Sequence, residues 1–475
     1  MALSFSDYIQ HDATGLAGLI RGGAVSAAEV LEAAIDRACE INPRINAIVD
    51  TLFDEARRNA LGSLTGPFAG VPWAVKDLGT PVRGARATRG SRAFAAERSM
   101  EDSVLVRRFR AAGLNIFCTS TTPEFGSAGT TESLLHGATR NPWNLSKTAG
   151  GSSGGAAALV SAGVIPAAHG SDSGGSIRLP ASCCGLLGLK PSRGRLPVAH
   201  RATEVKLGTS VSGALTRSVR DMAALLDALH GPELGSRYVA PPPRTTFLEA
   251  AMRPPERLRI ALQVRPFSDG PVDQSCIDAA MRAADLCRDL GHEVEEARPS
   301  LNGGALNEAF MVIGISDVYA GLRLAERDLG REIALDELEP VTATVMAMAG
   351  EIRAYQLLDA ELALQRAAIE MAAFQENYDI ILTPGVAQPP VDVGILALDR
   401  SMPEWAEAMG RFSPFTSVYN QTGQPAVTVP LHWTSDNLPV GVQFAGRLGS
   451  EEILLSLAHE LELISPWFDK MPKLS

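Results

Sequence analysis

Between Gly150 and Gly194 this 475-residue chain places eleven glycines and eight serines, threaded with the apolar runs 156–164 and 186–189. A Gly/Ser-rich stretch that stays outside a core is a flexible linker. Apolar runs at this density need burial, so the linker reading fails. What remains is a segment in which backbone approaches a ligand or other backbone closely. Any fold for this chain has to be built around it.

Two motifs lie inside the segment. The first, Gly150-Gly151-Ser152-Ser153-Gly154-Gly155, precedes an Ala-rich run with helical character. Glycines ahead of a helix start gather backbone N–H groups and the positive end of the helix dipole at one place. A phosphate loop would need GxxxxGK[ST] and a dinucleotide site GxGxxG; the Lys and the spacing are both missing, so nucleotide binding is not expected. The same run matches GxSxG twice, centred on Ser152 or on Ser153, but a nucleophile elbow also needs an acid and a His later in the chain. The second motif is Gly170-Ser171-Asp172-Ser173-Gly174-Gly175-Ser176-Ile177-Arg178. Its paired glycines let successive N–H groups point into one concavity, which is how an oxyanion hole is made, with Ser176 beside it as nucleophile. Asp172 and Arg178 flank the turn with opposite charges, and a salt bridge between them would hold its shape.

A third feature is Lys76, at the end of the apolar stretch 70–77. Lys is rarely buried unless paired. Either its head reaches solvent while its stem is covered, or burial lowers its pKa and it serves as a base. A serine nucleophile needs such a base, and His is the usual one. Of the eight histidines only His169 adjoins either motif.

The remaining residues narrow the class. With 43 Lys+Arg against 54 Asp+Glu the net charge is −11, and no basic block appears, which argues against nucleic-acid or anionic-membrane binding. The most apolar run, 156–168, is broken by Gly163 and Pro166, so a membrane-spanning helix is not expected. Residues 1–12 lack the basic and apolar regions of a secretory signal, and a cytoplasmic location is expected. The six cysteines form no CxxC pair and read as reduced, buried thiols. No HExxH is present, and His459-Glu460 lacks the second His, so no metal is expected.

Ser26 and Glu29 form a capping box, and Val30, Leu31, Ala34, Ile35 and Ala38 repeat at helical spacing, which predicts a helix over 26–39 with Pro43 stopping any continuation. Further helices are expected at 103–113, 273–290, much of 305–377 and 450–463. Strands are expected at 70–77, 114–118, 258–263, 292–297, 378–382, 426–431 and 440–444. Pro241-Pro242-Pro243 is the best candidate boundary, but strands resume soon after it. Strands and helices mixed over the whole length suggest one large α/β domain with helices on both faces of a sheet.

Taken in order, Lys76, the 150–155 motif and the 172–178 motif resemble the amidase signature family. The blocks 26–29, 41–47, 68–78, 137–144, 184–194, 415–426 and 439–443 extend the resemblance over nearly the whole chain. Within the family the chain looks most similar to bacterial amidases of the 6-aminohexanoate cyclic dimer hydrolase type. The resemblance implies a single domain over 1–475 with a central mixed β-sheet covered by helices on both faces. Residues 68–200 would form its catalytic core segment and 305–377 a helical segment over the active site. It implies an amidohydrolase cleaving C–N bonds of small to medium organic amides through a Ser–cisSer–Lys triad and a seryl acyl-enzyme. Lys76 is then the base, Ser152 the relay serine after a cis peptide, and Ser176 the nucleophile. The backbone of Ser173, Gly174, Gly175 and Ser176 forms the oxyanion hole, and Ser153, Asp172 and Arg178 support it. Carbamates, anilides and esters share the acyl carbonyl and fall within the same chemistry. No cofactor and no partner beyond the amide substrate are implied, and a homodimer is compatible with the family. Pocket walls are expected from 125–135 and 305–377, with Tyr319 and Phe415 as candidate contacts. A catalytically silent binding protein on the same fold is one rival; the others are a glutamine amidotransferase subunit of a tRNA-dependent transamidation complex and a Ser-His-Asp esterase using Ser152 or Ser153. Gly213-Ala214, where the family often has Gly-Pro, weakens the amidotransferase reading.

Overall fold

Two sheets carry the architecture. The smaller has three strands, β1 (Ile48–Thr51), β2 (Pro72–Lys76) and β3 (Asn115–Ser120), in the order β1-β3-β2, with β2 parallel and β1 antiparallel to β3. The larger has eight: β4 (Ala167–Asp172), β5 (Leu187–Lys190), β6 (Val211–Thr216), β7 (Arg259–Leu262), β8 (Glu293–Glu296), β9 (Ile380–Pro384), β10 (Ala426–Trp433) and β11 (Pro439–Gly446). Their order is β8-β7-β9-β11-β10-β5-β6-β4. β7 runs parallel to both β8 and β9, and every other neighbouring pair is antiparallel. This is the expected mixed sheet. The structure, a computed structural model, describes residues 3–198, 200 and 202–474. The end residues of the 1–475 span and residue 199 of the 68–200 segment lie outside the described residues.

Side-chain alternation explains why helices cover both faces of the large sheet. Ile260, Leu262, Ile380, Leu382, Val427 and Phe444 share a core with Cys276, Ala279 and Ala283 of α1 (Gln274–Asp289). The alternate positions Ala261, Ile381, Ala426 and Ala445 join Leu306 of α2 (Gly303–Leu329) and Ala367 and Met371 of α3 (Ala354–Phe374). Strands on both sides of the 241–243 proline run belong to the same sheet, so that run is not a boundary within it.

Local expectations met the chain in different ways. The Ser26–Glu29 capping box is present, with Ser26 Oγ accepting from the Glu29 N–H and the Glu29 carboxylate accepting from the Ser26 N–H. The helix it starts does not stop at Pro43; it runs to Ile45 and ends on Asn46 in the left-handed region. Pro43 sits in the last turn, where its missing N–H forfeits a single bond. The 27-residue helix α2 also corrects the expectation about membrane-spanning length. It is long and apolar enough by composition to cross a bilayer, because its small and apolar residues are spread along the helix and not gathered in one unbroken run. Here it packs along α3 and brings Asp317, Val318, Gly321 and Leu322 to a cavity at the end of β4.

Candidate active site

β4 reads Ala-Ala-His-Gly-Ser-Asp, and its small residues let β2 of the other sheet lie against it. The contact is fixed by the Lys76 N–H, which donates to His169 Nδ1 at 3.3 Å. His169 therefore carries its hydrogen on Nε2. Burial, then the nearby Lys76, pushes its pKa down to about 3, so it is neutral. Its ring packs on Phe109 at 5.4 Å, and Nε2 has no partner among the described residues.

The Lys76 side chain is fully buried and ends among hydroxyls. Its Nζ lies 2.7 Å from Ser152 Oγ, 3.0 Å from Ser171 Oγ and 3.5 Å from Ser171 O. Desolvation lowers its pKa to about 7, outweighing the charge of Asp172, which acts the other way; Lys206 adds to the lowering. The charged amine donates to Ser152 Oγ and to Ser171, and the pKa near 7 keeps a neutral form accessible whose lone pair can instead take the Ser152 O–H. The solvent-reaching reading of Lys76 does not hold.

Ser152 is held by what surrounds Gly151. A Cβ on Gly151 would lie 2.1 Å from the Thr130 carbonyl oxygen, so no larger residue fits, and the Gly151–Ser152 peptide is cis. Ser153 faces the other way. Its N–H donates to the Ser176 carbonyl at 3.0 Å, and its Oγ donates to Ser171 O at 3.1 Å while accepting from the Ser171 N–H at 3.3 Å. It ties the two motifs together and leaves Ser152 as the hydroxyl facing Lys76.

The turn 173–176 follows β4, and a seven-residue helix, Arg178–Cys184, follows the turn. Gly175 has φ of 134°, and a Cβ there would meet Thr416 Oγ1 at 2.4 Å. Asp172 is the hub: its carboxylate accepts from the Gly175 N–H at 2.8 Å, the Ile177 N–H at 3.1 Å and Asn420 Nδ2 at 2.9 Å. Arg178 adds a two-pronged pair at 2.9 and 3.0 Å, with both side chains sealed from solvent. Although burial works against it, Arg178 first, then Lys190 and Asn420, hold the Asp172 pKa well below the usual carboxylate range. Arg178 also donates to Thr416 O, Gln443 Oε1 and Asn420 Oδ1. The expected salt bridge thus extends into a network reaching the last sheet strands.

This network revises one expectation. The Gly175 N–H is committed to Asp172 and is not available to an oxyanion. The N–H groups of Ser173, Gly174 and Ser176 have no acceptor among the described residues. Ser173 Oγ donates to Ser210 Oγ at 2.9 Å.

Ser152, Ser171, Ser173 and Ser176 line one cavity of ≈ 160 Å³, together with Leu78, Arg89, Phe125, Gly126, Lys206 and the α2 residues named above. Phe125 and Gly126 come from the stretch expected to form a wall. Tyr319 and Phe415 do not line it; Phe415 is a core residue, and Tyr319 lies under Arg323. No histidine is among the lining residues, which removes the base that an esterase triad would need. A wider, open groove of ≈ 650 Å³ beside Lys147, Asp392 and Glu404 contains none of these serines. Among the described residues no group of three or more side chains could hold a metal ion. Sequence reasoning gave no role to Ser171, although it lies inside the 170–178 motif, and passed over Arg89, which sits in no recognised pattern.

A family model described as Amidase matches residues 29–455. The 6-aminohexanoate-cyclic-dimer hydrolase of Pseudomonas sp. (strain NK87) is 37% identical, over 98% of this chain and 96% of its own length. A solved structure of 6-aminohexanoate cyclic dimer hydrolase superposes with a TM-score of 0.91 at 34% identity, covering 98% of this chain and 99% of that one. A bacterial aryl acylamidase superposes with a TM-score of 0.87 at 27% identity, covering 96% of each chain.

Proposed function

This chain belongs to the amidase family and is an amidohydrolase acting on C–N bonds, and on that premise we propose that it cleaves small to medium organic amides through Lys76, Ser152 and Ser176. The observation that carries the reading is a buried amine, with pKa near 7, placed 2.7 Å from the Ser152 hydroxyl in the cavity that Ser176 also lines.

The steps follow from that placement. Neutral Lys76 takes the Ser152 proton as Ser152 takes the Ser176 proton, and Ser176 Oγ bonds to the amide carbonyl carbon. The carbonyl oxygen becomes an oxyanion facing the unpartnered N–H groups of Ser173, Gly174 and Ser176. Losing one such donor typically costs about 2.7–4 kcal/mol of barrier. The proton returns through Ser152 to the leaving nitrogen, the C–N bond breaks, and an acyl-Ser176 ester remains. Water, deprotonated through the same relay, releases the acid. Likeness to a cyclic-dimer hydrolase and an aryl acylamidase supports aliphatic amides and anilides as substrates, with carbamates and esters open to the same attack.

The test is active-site labelling. A fluorophosphonate probe should attach at Ser176, located by peptide mass spectrometry, and Ser176→Ala should abolish both labelling and anilide hydrolysis. Attachment at Ser152 or Ser153 would refute the assignment.

A further inference from the structure

Arg89 stands apart from the machinery described so far. It lines the same cavity as Ser152 and Ser176, yet among the described residues its guanidinium meets only the Phe94 ring, with no hydrogen bond and no ion pair. Asp77, Glu97 and Asp328 feel its charge without coming into ion-pair contact. Arg89 is half-buried and none of its donors is sealed from solvent, so its five N–H groups are open to whatever enters the cavity.

Its position is fixed nevertheless. Arg89 has φ of 54°, a conformation uncommon for a residue with a Cβ and one that recurs at ligand clamps. Thr88 before it is held by Asp77, which accepts from both its N–H and its hydroxyl. The Arg89 carbonyl accepts from the Phe125 N–H at 2.9 Å. The guanidinium lies 4.4 Å over the Phe94 ring, and Phe94 meets Phe125 edge-on at 5.9 Å. A planar cation stacked on one face still offers its rim of N–H donors, the geometry that grips a carboxylate with two parallel bonds. Two other charged groups line the cavity. Lys206 is a second cation with no ion pair among the described residues, and Asp317 accepts from the Lys206 N–H at 3.1 Å. Two cations against one anion leave the wall positive.

We propose that Arg89 is a carboxylate-binding residue of this site, and that the preferred substrates are amides bearing a carboxylate close to the scissile bond. The inference rests on the amide-hydrolysis reading above. Arg89 touches substrate without taking part in proton transfer, so it sets specificity. The carboxylate sits either on the acyl chain or on the leaving amine, and the experiment separates the two.

Two matched pairs of amides serve. The 4-nitroanilides of butyric acid and of succinic acid differ by a carboxylate on the acyl side. Butyranilide and N-butyryl-4-aminobenzoate differ by one on the leaving side. In one pair kcat/KM should favour the carboxylate member, and Arg89→Met should cut that ratio by about 10- to 100-fold, the range expected for a charge-assisted contact. Arg89→Lys, which keeps charge but not the fork, should restore part of the ratio. Separately, succinate binding to Ser176→Ala, measured by calorimetry, should vanish in Ser176→Ala/Arg89→Met. Ratios near one in both wild-type pairs, or ratios untouched by Arg89→Met, overturn the proposal, as does succinate binding that survives the double change. If none of the four amides is cleaved but succinate still binds through Arg89, the amide-hydrolysis reading fails and the carboxylate site stands.

Discussion

Acidifying the enzyme should switch it off through Lys76, over a pH range that burial sets. With a pKa of about 7 in place of 10.5, half of the Lys76 amine is neutral at pH 7. The neutral share falls to about a tenth at pH 6 and about a hundredth at pH 5. A solvent-exposed lysine would offer roughly one neutral amine in 3,000 at pH 7, so the dry pocket supplies a gain of about a thousandfold in active base. The sign is fixed by chemistry: the base must be deprotonated, so rate rises with pH. With an uncharged chromogenic anilide, log kcat/KM measured from pH 5 to 9 should climb with unit slope below pH 6 and level off above pH 8. A neutral substrate assigns that limb to the free enzyme. Lys206 lowers the Lys76 pKa by like-charge repulsion, so Lys206→Met should move the limb to higher pH. A flat profile across the range, a limb near pH 10, or a rate that falls with pH would refute the reasoning.

Three other outcomes follow from the same geometry. Lys76→Met removes the proton acceptor and should lower kcat by about 10²- to 10⁴-fold, while thermal unfolding should show no loss of stability, since an apolar side chain replaces a desolvated amine. Arg178→Met leaves the Asp172 carboxylate buried without its cation and should cost about 3–5 kcal/mol in urea unfolding; a loss below about 1 kcal/mol would show that Asn420 and the backbone N–H groups suffice. Gly151→Ala sets a methyl 2.1 Å from the Thr130 carbonyl oxygen and should yield no active, folded protein, as read by size-exclusion chromatography and anilide turnover.

Much of the centre was legible because its chemistry demands particular residues in runs. The two Gly/Ser motifs and the lysine at the end of an apolar strand pointed to Lys76, Ser152 and Ser176 before any geometry. Amphipathic helices and alternating strands were readable where side chains are large. β4 and β6 were not, because Gly, Ala and Ser give them little alternation to detect, and β5, Leu187-Gly188-Leu189-Lys190, is too short to stand out from the apolar run it continues. The GxSxG pattern alone did not separate Ser152 from Ser153; the family resemblance did, and in three dimensions the two differ in the neighbour they face, Lys76 for Ser152 and the Ser176 carbonyl for Ser153. Asn420 and Gln443 lie 242 and 265 residues from the Arg178 they bind, and no local pattern encodes such a contact. Phe415 was misplaced because aromatic residues fill cores as readily as pockets, and Tyr319 because it lies under Arg323, off the cavity wall.

The reach of Arg178 toward the far end of the chain bears on when the enzyme can begin to work. A ribosome that has delivered Lys76, Ser152 and Ser176 has yet to make Thr416, Asn420 and Gln443, which anchor Arg178. A nascent polypeptide therefore carries its reactive groups for most of its synthesis without the clamp that shapes them. Translation stopped early would leave a product that holds the three proposed reacting groups without their clamp, and it should cleave nothing.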